Sequence, residues 1–234
     1  MKIFRLLPIL AALSVTAGAL GQGADPFDVH VSDMKILTLK MIQKEIGLTE
    51  AQRSKMNAAS TAEQGLASAE LKRSKGKPDQ KKMLGYYTDL RQKVFAVLTP
   101  PQVKRLRELT LQETGLVALA NQEVATRVGL SAAGLKKIRD IIVSHQKQFE
   151  TLESNAKKPI YLQYKDKNPK NEAEATALKK EFAAKMQAVD QQLRPQVKSI
   201  LDSGTNDVLH SLTPAQKAAW TALMGKPFNG KIKQ

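Results

Sequence analysis

Cysteine is absent from this chain of 234 residues, which removes disulfide staples, thiolate metal sites and thiol nucleophiles from consideration. Aromatic residues are scarce, at 5% with a single Trp, although apolar residues make up 42%. Little material is therefore present for one thick core, and the abundance of Ala, Leu, Lys, Gln and Glu favours helices joined along thin seams. No alternating run is long enough to argue for a sheet. Acidic residues fall short of basic ones, 22 against 37, for a formal net charge of +15. A surplus of that size suits polyanions, acidic membrane surfaces or negatively charged proteins.

Residues 1–21 read as a cleavable address. Lys2 and Arg5 precede an apolar run from Leu6 to Val15, and Ala17-Gly18-Ala19-Leu20-Gly21 supplies small residues for cleavage after Gly21. The run falls short of the roughly 20 apolar residues a spanning helix needs, and no cysteine follows it to carry a lipid. The expectation is a periplasmic or secreted protein. Removing Lys2 and Arg5 takes the charge from +15 to +13, so the basic character belongs to the mature chain.

One pattern recurs through the rest. Leu48-Thr49-Glu50-Ala51-Gln52, Leu98-Thr99-Pro100-Pro101-Gln102 and Leu212-Thr213-Pro214-Ala215-Gln216 share it, and Leu130-Ser131-Ala132-Ala133-Gly134 is a looser copy. Each has the chemistry of a helix start. Thr or Ser caps a free N–H, Pro sits at the first helical position, and Gln three residues on reaches back to the cap. Around these boxes the chain repeats itself: Ile42, Ile46, Gly47, Leu48 and Thr49 correspond to Val124, Val128, Gly129, Leu130 and Ser131. Such a repeat has to be settled before any motif is weighed.

Between the boxes run apolar residues at spacings of three and four: Met83, Tyr87, Leu90, Val94 and Val97 in the first half; Leu135, Ile138, Ile142, His145, Phe149 and Leu152, then Leu178, Phe182, Met186 and Val189, in the second. Ser32 is expected to cap a lead-in helix, and Pro195 to kink or split the last long one. The fold expected is all-α: two repeated long antiparallel helical hairpins with short connecting helices, residues 22–129 and 130–234. Each hairpin is expected to end in a basic tip. Lys72, Arg73, Lys75 and Lys77 make the first; Lys157, Lys158, Lys165, Lys167 and Lys170, with Tyr161 and Tyr164, make the second. These are the candidate binding residues, since clustered charge steers acidic partners and Tyr adds apolar area with a wet hydroxyl.

Repeated Leu-Thr-x-x-Gln boxes on a cysteine-free helical chain behind a leader resemble the periplasmic LTxxQ family (Spy/CpxP/ZraP-like). The resemblance rests on Leu48, Thr49 and Gln52, on Leu98, Thr99 and Gln102, and on Leu212, Thr213 and Gln216, with Leu130 and Ser131 as a partial fourth. It implies small helical hairpins that form cradle-shaped dimers and hold unfolded clients without ATP on a basic, apolar surface. Two departures stand out: Gly134 replaces the Gln of its box, and the chain is about one duplication longer than a single hairpin. It therefore reads as a duplicated, distant member.

Catalytic patterns are missing. His30, His145 and His210 are far apart, and no His-Glu-x-x-His pair, Gly-x-Ser-x-Gly elbow or phosphate-cradling glycine loop occurs. His145 lies on an apolar seam and reads as a packed boundary residue. No cofactor, metal or nucleic-acid reading module is indicated, and the chain reads as a binding protein, not an enzyme. Its expected partners are unfolded or acidic proteins, with anionic envelope surfaces drawn to the same charges. Two other readings stand beside the holdase: an envelope-stress regulatory or structural protein with one specific partner, and a metal-responsive protein using His145 and His210. The sequence leaves the oligomeric state open.

Overall fold

The computed structural model describes residues 23–230, and the expected leader at 1–21 lies outside them. Nine α-helices and two 3-10 turns account for the regular structure of the described residues, with no strand among them. The chain is all-α. The described residues divide into two compact units: 23–128 with 218–230, and 129–217. Residues 218–230 group with the first unit.

In the first unit, Asp25 opens α1 (Pro26–Val31) by accepting the N–H of Phe27 at 2.9 Å. A 3-10 turn over Met34–Thr38 follows, capped by Asp33, and then α2 (Lys40–Glu45). The expected cap at Ser32 is corrected here. Ser32 ends α1, and its buried hydroxyl donates to the carbonyl of Asp28 at 2.6 Å, while the neighbouring Asp33 does the capping. Gly47, at φ 66°, closes this lead-in with the backbone turn an L side chain resists. The first hairpin is α3 (Glu50–Arg73) and α4 (Gln80–Val97). Its turn uses Lys75 and Gly76 at positive φ, and Asp79 caps the return helix.

The core of this unit gathers on α5 (Pro100–Thr114), which buries Val103, Leu106, Leu109 and Leu111. Against Val103, Leu106 and Leu109 lie Val29, Ile36, Leu37, Ile42, Ile46, Val94 and Phe95. Complete burial of a side chain such as Phe95 contributes about 1.5–3 kcal/mol. Gly115, at φ 63°, ends α5, and a 3-10 turn (Gly115–Ala120) leads into α6 (Gln122–Val128). The tail after α9 (Pro214–Met224) is fastened to α5 by side chains. Gln112 donates to the carbonyls of Met224 and Lys226 at 2.7 and 2.8 Å and accepts the N–H of Phe228 at 2.8 Å.

The second unit is one long hairpin, α7 (Ala132–Lys165) and α8 (Glu172–Ser211). Both run through a proline, Pro159 and Pro195 respectively. The helix is therefore not split at Pro195, and α7 extends well past the point where Lys157-Lys158-Pro159 suggested a turn. Each proline is exposed, as are the residues one turn before them, Asn155 and Gln191. Both prolines thus lie on the solvent side of their helices, and the seam on the other side keeps each helix together. The two helices, 34 and 40 residues long, bury only Leu135, Ile138, Leu193 and Val208. Ile142, Phe149, Leu152, Phe182, Met186 and Val189 are half-buried, as expected where a seam is only two helices deep.

Candidate functional site

The boxes act as fasteners. In the first unit each Gln closes its own capping box: Thr49 N–H donates to Gln52 Oε1 at 3.0 Å, and Thr99 N–H to Gln102 Oε1 at 2.9 Å. The two amides then pair head to head, Nε2 to Oε1 at 2.8 Å one way and 3.1 Å the other. Their nitrogens also cross to the opposite chain end, Gln52 to the carbonyl of Val97 at 2.9 Å and Gln102 to that of Gly47 at 3.1 Å. This buckle ties the start of α3 to the start of α5, with Leu48 and Leu98 buried beneath it. The second unit has half of it. Gln216 caps Thr213 at 2.9 Å and reaches the carbonyl of Gly129 at 3.0 Å, with Leu212 buried. Ser131 caps α7 by accepting the N–H of Gly134 at 3.1 Å, but Gly134 has no amide to offer Gln216. The cap-motif residues therefore hold helix starts together.

At the first tip Lys72, Lys75 and Lys77 are exposed. Arg73 turns back onto its own helix, donating to both oxygens of Glu70 at 2.6 and 3.0 Å. The second tip is richer. Lys157 leaves the binding set, because its ammonium is bonded to Glu153 and lies 2.9 Å from Asp190. Burial works against its charge, but those two carboxylates outweigh it and hold its pKa above the ordinary lysine value. Tyr164 is also engaged: its hydroxyl donates to Glu181, and burial with that bond pushes its pKa up. Lys167 and Lys185 lie 4.2 and 5.2 Å from the centre of its ring. Phe182 of α8 joins the cluster, 5.5 Å from the Tyr161 ring and 5.3 Å from the Tyr164 ring.

What the second tip presents outward is Tyr161 and Leu162, 55% and 60% exposed, among exposed Lys158, Lys165, Lys167 and Lys170. Leu162 was missed in the sequence. Its signal was an apolar residue off the three-four seam, which can be read as a solvent-facing contact only once α7 is known to continue past Pro159.

His145 packs as a boundary residue. Its Nε2 lies 2.8 Å from Asp207 Oδ2, and its ring rests against Gly204, where an added Cβ would come within 3.1 Å of the imidazole. Beside this pair is an open depression of about 450 Å³, edged by Lys136, Lys137, Asp140 and Ser144. His30 meets Glu123 at 3.2 Å, and His210 is an exposed residue of the last turn of α8. Among the described residues no three His, Asp or Glu side chains gather closely enough to hold a metal ion. No helix of the described residues is long and apolar enough to cross a membrane. Compared with known proteins, the chain matches no family model, no curated protein and no solved structure.

Proposed function

We propose that this chain is an ATP-independent, chaperone-like binding protein of the cell envelope, a holdase for unfolded or net-acidic protein segments, and a duplicated relative of the LTxxQ family. One observation carries the reading: the second hairpin runs for 40 residues along a half-buried apolar seam and ends in exposed Tyr161 and Leu162 set among lysines. A segment with negative charge is drawn in by the lysines over a long range. Its apolar side chains then meet Tyr161, Leu162 and the half-covered seam. Weak, adaptable contact follows from a half-buried seam that carries Met186, whose unbranched side chain repacks readily. The envelope location rests on the leader-like residues 1–21, and the family relation on the three complete boxes.

The test is an aggregation assay with a chemically unfolded client, without ATP, using the chain from Gln22. Near-stoichiometric suppression at low salt, weakened several-fold at moderate salt, is expected. The combined variant Lys158→Gln, Lys165→Gln, Lys170→Gln with Leu162→Ala should lose most of the suppression while keeping its helical circular dichroism. Lys157→Gln alone should leave suppression intact, because that ammonium is already engaged. An inert wild-type chain at every salt would sink the holdase reading in favour of a protein with a single specific partner.

A further inference from the structure

The first hairpin is built in reverse of an amphipathic pair. Of the 24 residues of α3 only Glu63 and Glu70 are buried, with side chains 4% and 5% exposed. Leu66 and Leu71 of the same helix stand in solvent, as do Leu84 and Tyr87 of α4. What meets across the hairpin is charge. Lys93 of α4 bonds Glu63, and Lys82 of α4 lies 3.7 Å from Glu70. Arg73 holds Glu70 from within α3, Asp79 adds a backbone hydrogen bond to it, Asp89 acts on Lys93, and Tyr86 on Arg73. The second oxygen of Glu63 is buried with no hydrogen-bond partner. Half-buried Met83 and Tyr86 of α4 also lie within this stretch, and nearer the base Met56 and Leu90 pack against the core.

The two kinds of contact answer differently to solution conditions. Lys93 and Lys82 are about half exposed, 54% and 49%, so ions reach both pairs. Raising the salt from about 0.1 M to about 1 M shortens the screening length from about 10 Å to about 3 Å, while apolar burial is not weakened by simple salt. Glu63, covered by protein and reached across the hairpin by Lys93, loses that partner when the charge is screened or removed, while Glu70 loses Lys82 and keeps Arg73 and the N–H of Asp79.

We infer that the hairpin beyond Met56 and Leu90 is a latched arm, held shut by Glu63–Lys93 and Glu70–Lys82, which opens as one segment over residues 57–89 while the core on α5 stays folded. The latch is distinct from the second-hairpin surface, and it stands whether or not the chain is a holdase. Acid and alkali act on it from opposite ends. The hydrogen bonds from Arg73 lead in holding the Glu70 carboxyl below its ordinary pKa, against the effect of burial. Its contribution is therefore present above the unfolded-state value and lost as pH falls through the lowered one. The hydrogen bond to Glu63 leads in holding Lys93 above its ordinary value. That contribution is complete below the unfolded-state value and lost as pH rises through the raised one.

Hydrogen exchange read by mass spectrometry on the chain from Gln22 tests this at neutral pH, at low salt and at about 1 M NaCl. Peptides from 57–89 should exchange roughly tenfold faster at high salt, and peptides from 100–114 should not change. Glu63→Gln with Glu70→Gln should leave the arm fast at both salts. The variant Glu63→Leu, Lys93→Leu, Glu70→Leu, Lys82→Leu puts apolar contact in place of the latch and should stay protected at both. The inference is overturned if 57–89 ignores salt in the wild type, if α5 loses protection in step with it, or if the leucine variant remains salt-sensitive.

Discussion

Arg107→Ala should cost the first unit about 3–5 kcal/mol, because it strands a buried carboxylate. Arg107 is 5% exposed and Asp28 8%. Its Nε donates to Asp28 Oδ1 at 2.9 Å, an amino group donates to the carbonyl of Leu223, and the guanidinium lies 5.7 Å from the centre of the Phe27 ring. One side chain thus joins α1, α5 and the end of α9. Removing it leaves the covered Asp28 without this partner, a main-chain carbonyl without this donor, and a gap beside Phe27. Urea unfolding followed by the fluorescence of Trp220 reads the loss directly, since this is the only Trp of the chain and it is buried in the first unit. Asp28→Asn with Arg107→Met removes both charges and should recover most of the stability. A loss under about 1 kcal/mol for Arg107→Ala, the level of an exposed pair, would mean that Asp28 reaches water. Suppression of aggregation should survive Arg107→Ala at temperatures where the chain stays folded, because Tyr161 and Leu162 belong to the second unit.

Features set by a few neighbouring residues were legible in the sequence. Thr49, Thr99, Ser131 and Thr213 do precede α3, α5, α7 and α9, because capping is decided within four residues of the chain. The all-α class followed from the same periodicity. Features decided by distant partners were not legible. Nothing near Asp28 announces Arg107, 79 positions on. Glu63 and Glu70 carry the composition of a solvated face, yet they point inward, because Lys93 and Lys82 of the return helix meet them there. Pro159 and Pro195 are local breakers overruled by packing along the opposite side of each helix. Their continuation moved the second tip outward, so that Lys157 became an internal contact and Leu162 an exposed one. Ser32 was a good cap one residue too early, since Asp33 was the better acceptor and the Ser32 hydroxyl had the Asp28 carbonyl within reach.

The buckle gives the second full prediction, and its asymmetry is the means of testing it. Gln102→Ala should destabilise the first unit by about 2 kcal/mol: roughly 1 for the lost cap and a similar amount for the Gln52 amide and Gly47 carbonyl left without this partner at a part-buried position. Gln216→Ala should cost the second unit only about 1 kcal/mol, because Gln216 makes the cap and one crossing bond and has no paired amide. Gly134→Gln should do the reverse and gain about 1–2 kcal/mol. Replacing Gly inside a helix is worth up to about 1, and an amide at that position can meet Gln216 as Gln52 meets Gln102. Space is present, since an added Cβ would find Leu130 Cδ2 at 3.4 Å and Ser131 Oγ at 3.5 Å. Gly134→Ala separates the two parts, as it brings the propensity without the amide. Exchange protection in the first turns of α7 reads the second unit, which contains no Trp. If Gly134→Gln adds protection beyond Gly134→Ala, and Gln216→Ala cancels the excess, then the two units close by the same device and the first retains a pair that the second lacks. Equal effects of Gln and Ala at 134 would mean that the start of α7 and the start of α9 are held differently from their counterparts, so that the repeated boxes are shared capping chemistry without a shared buckle.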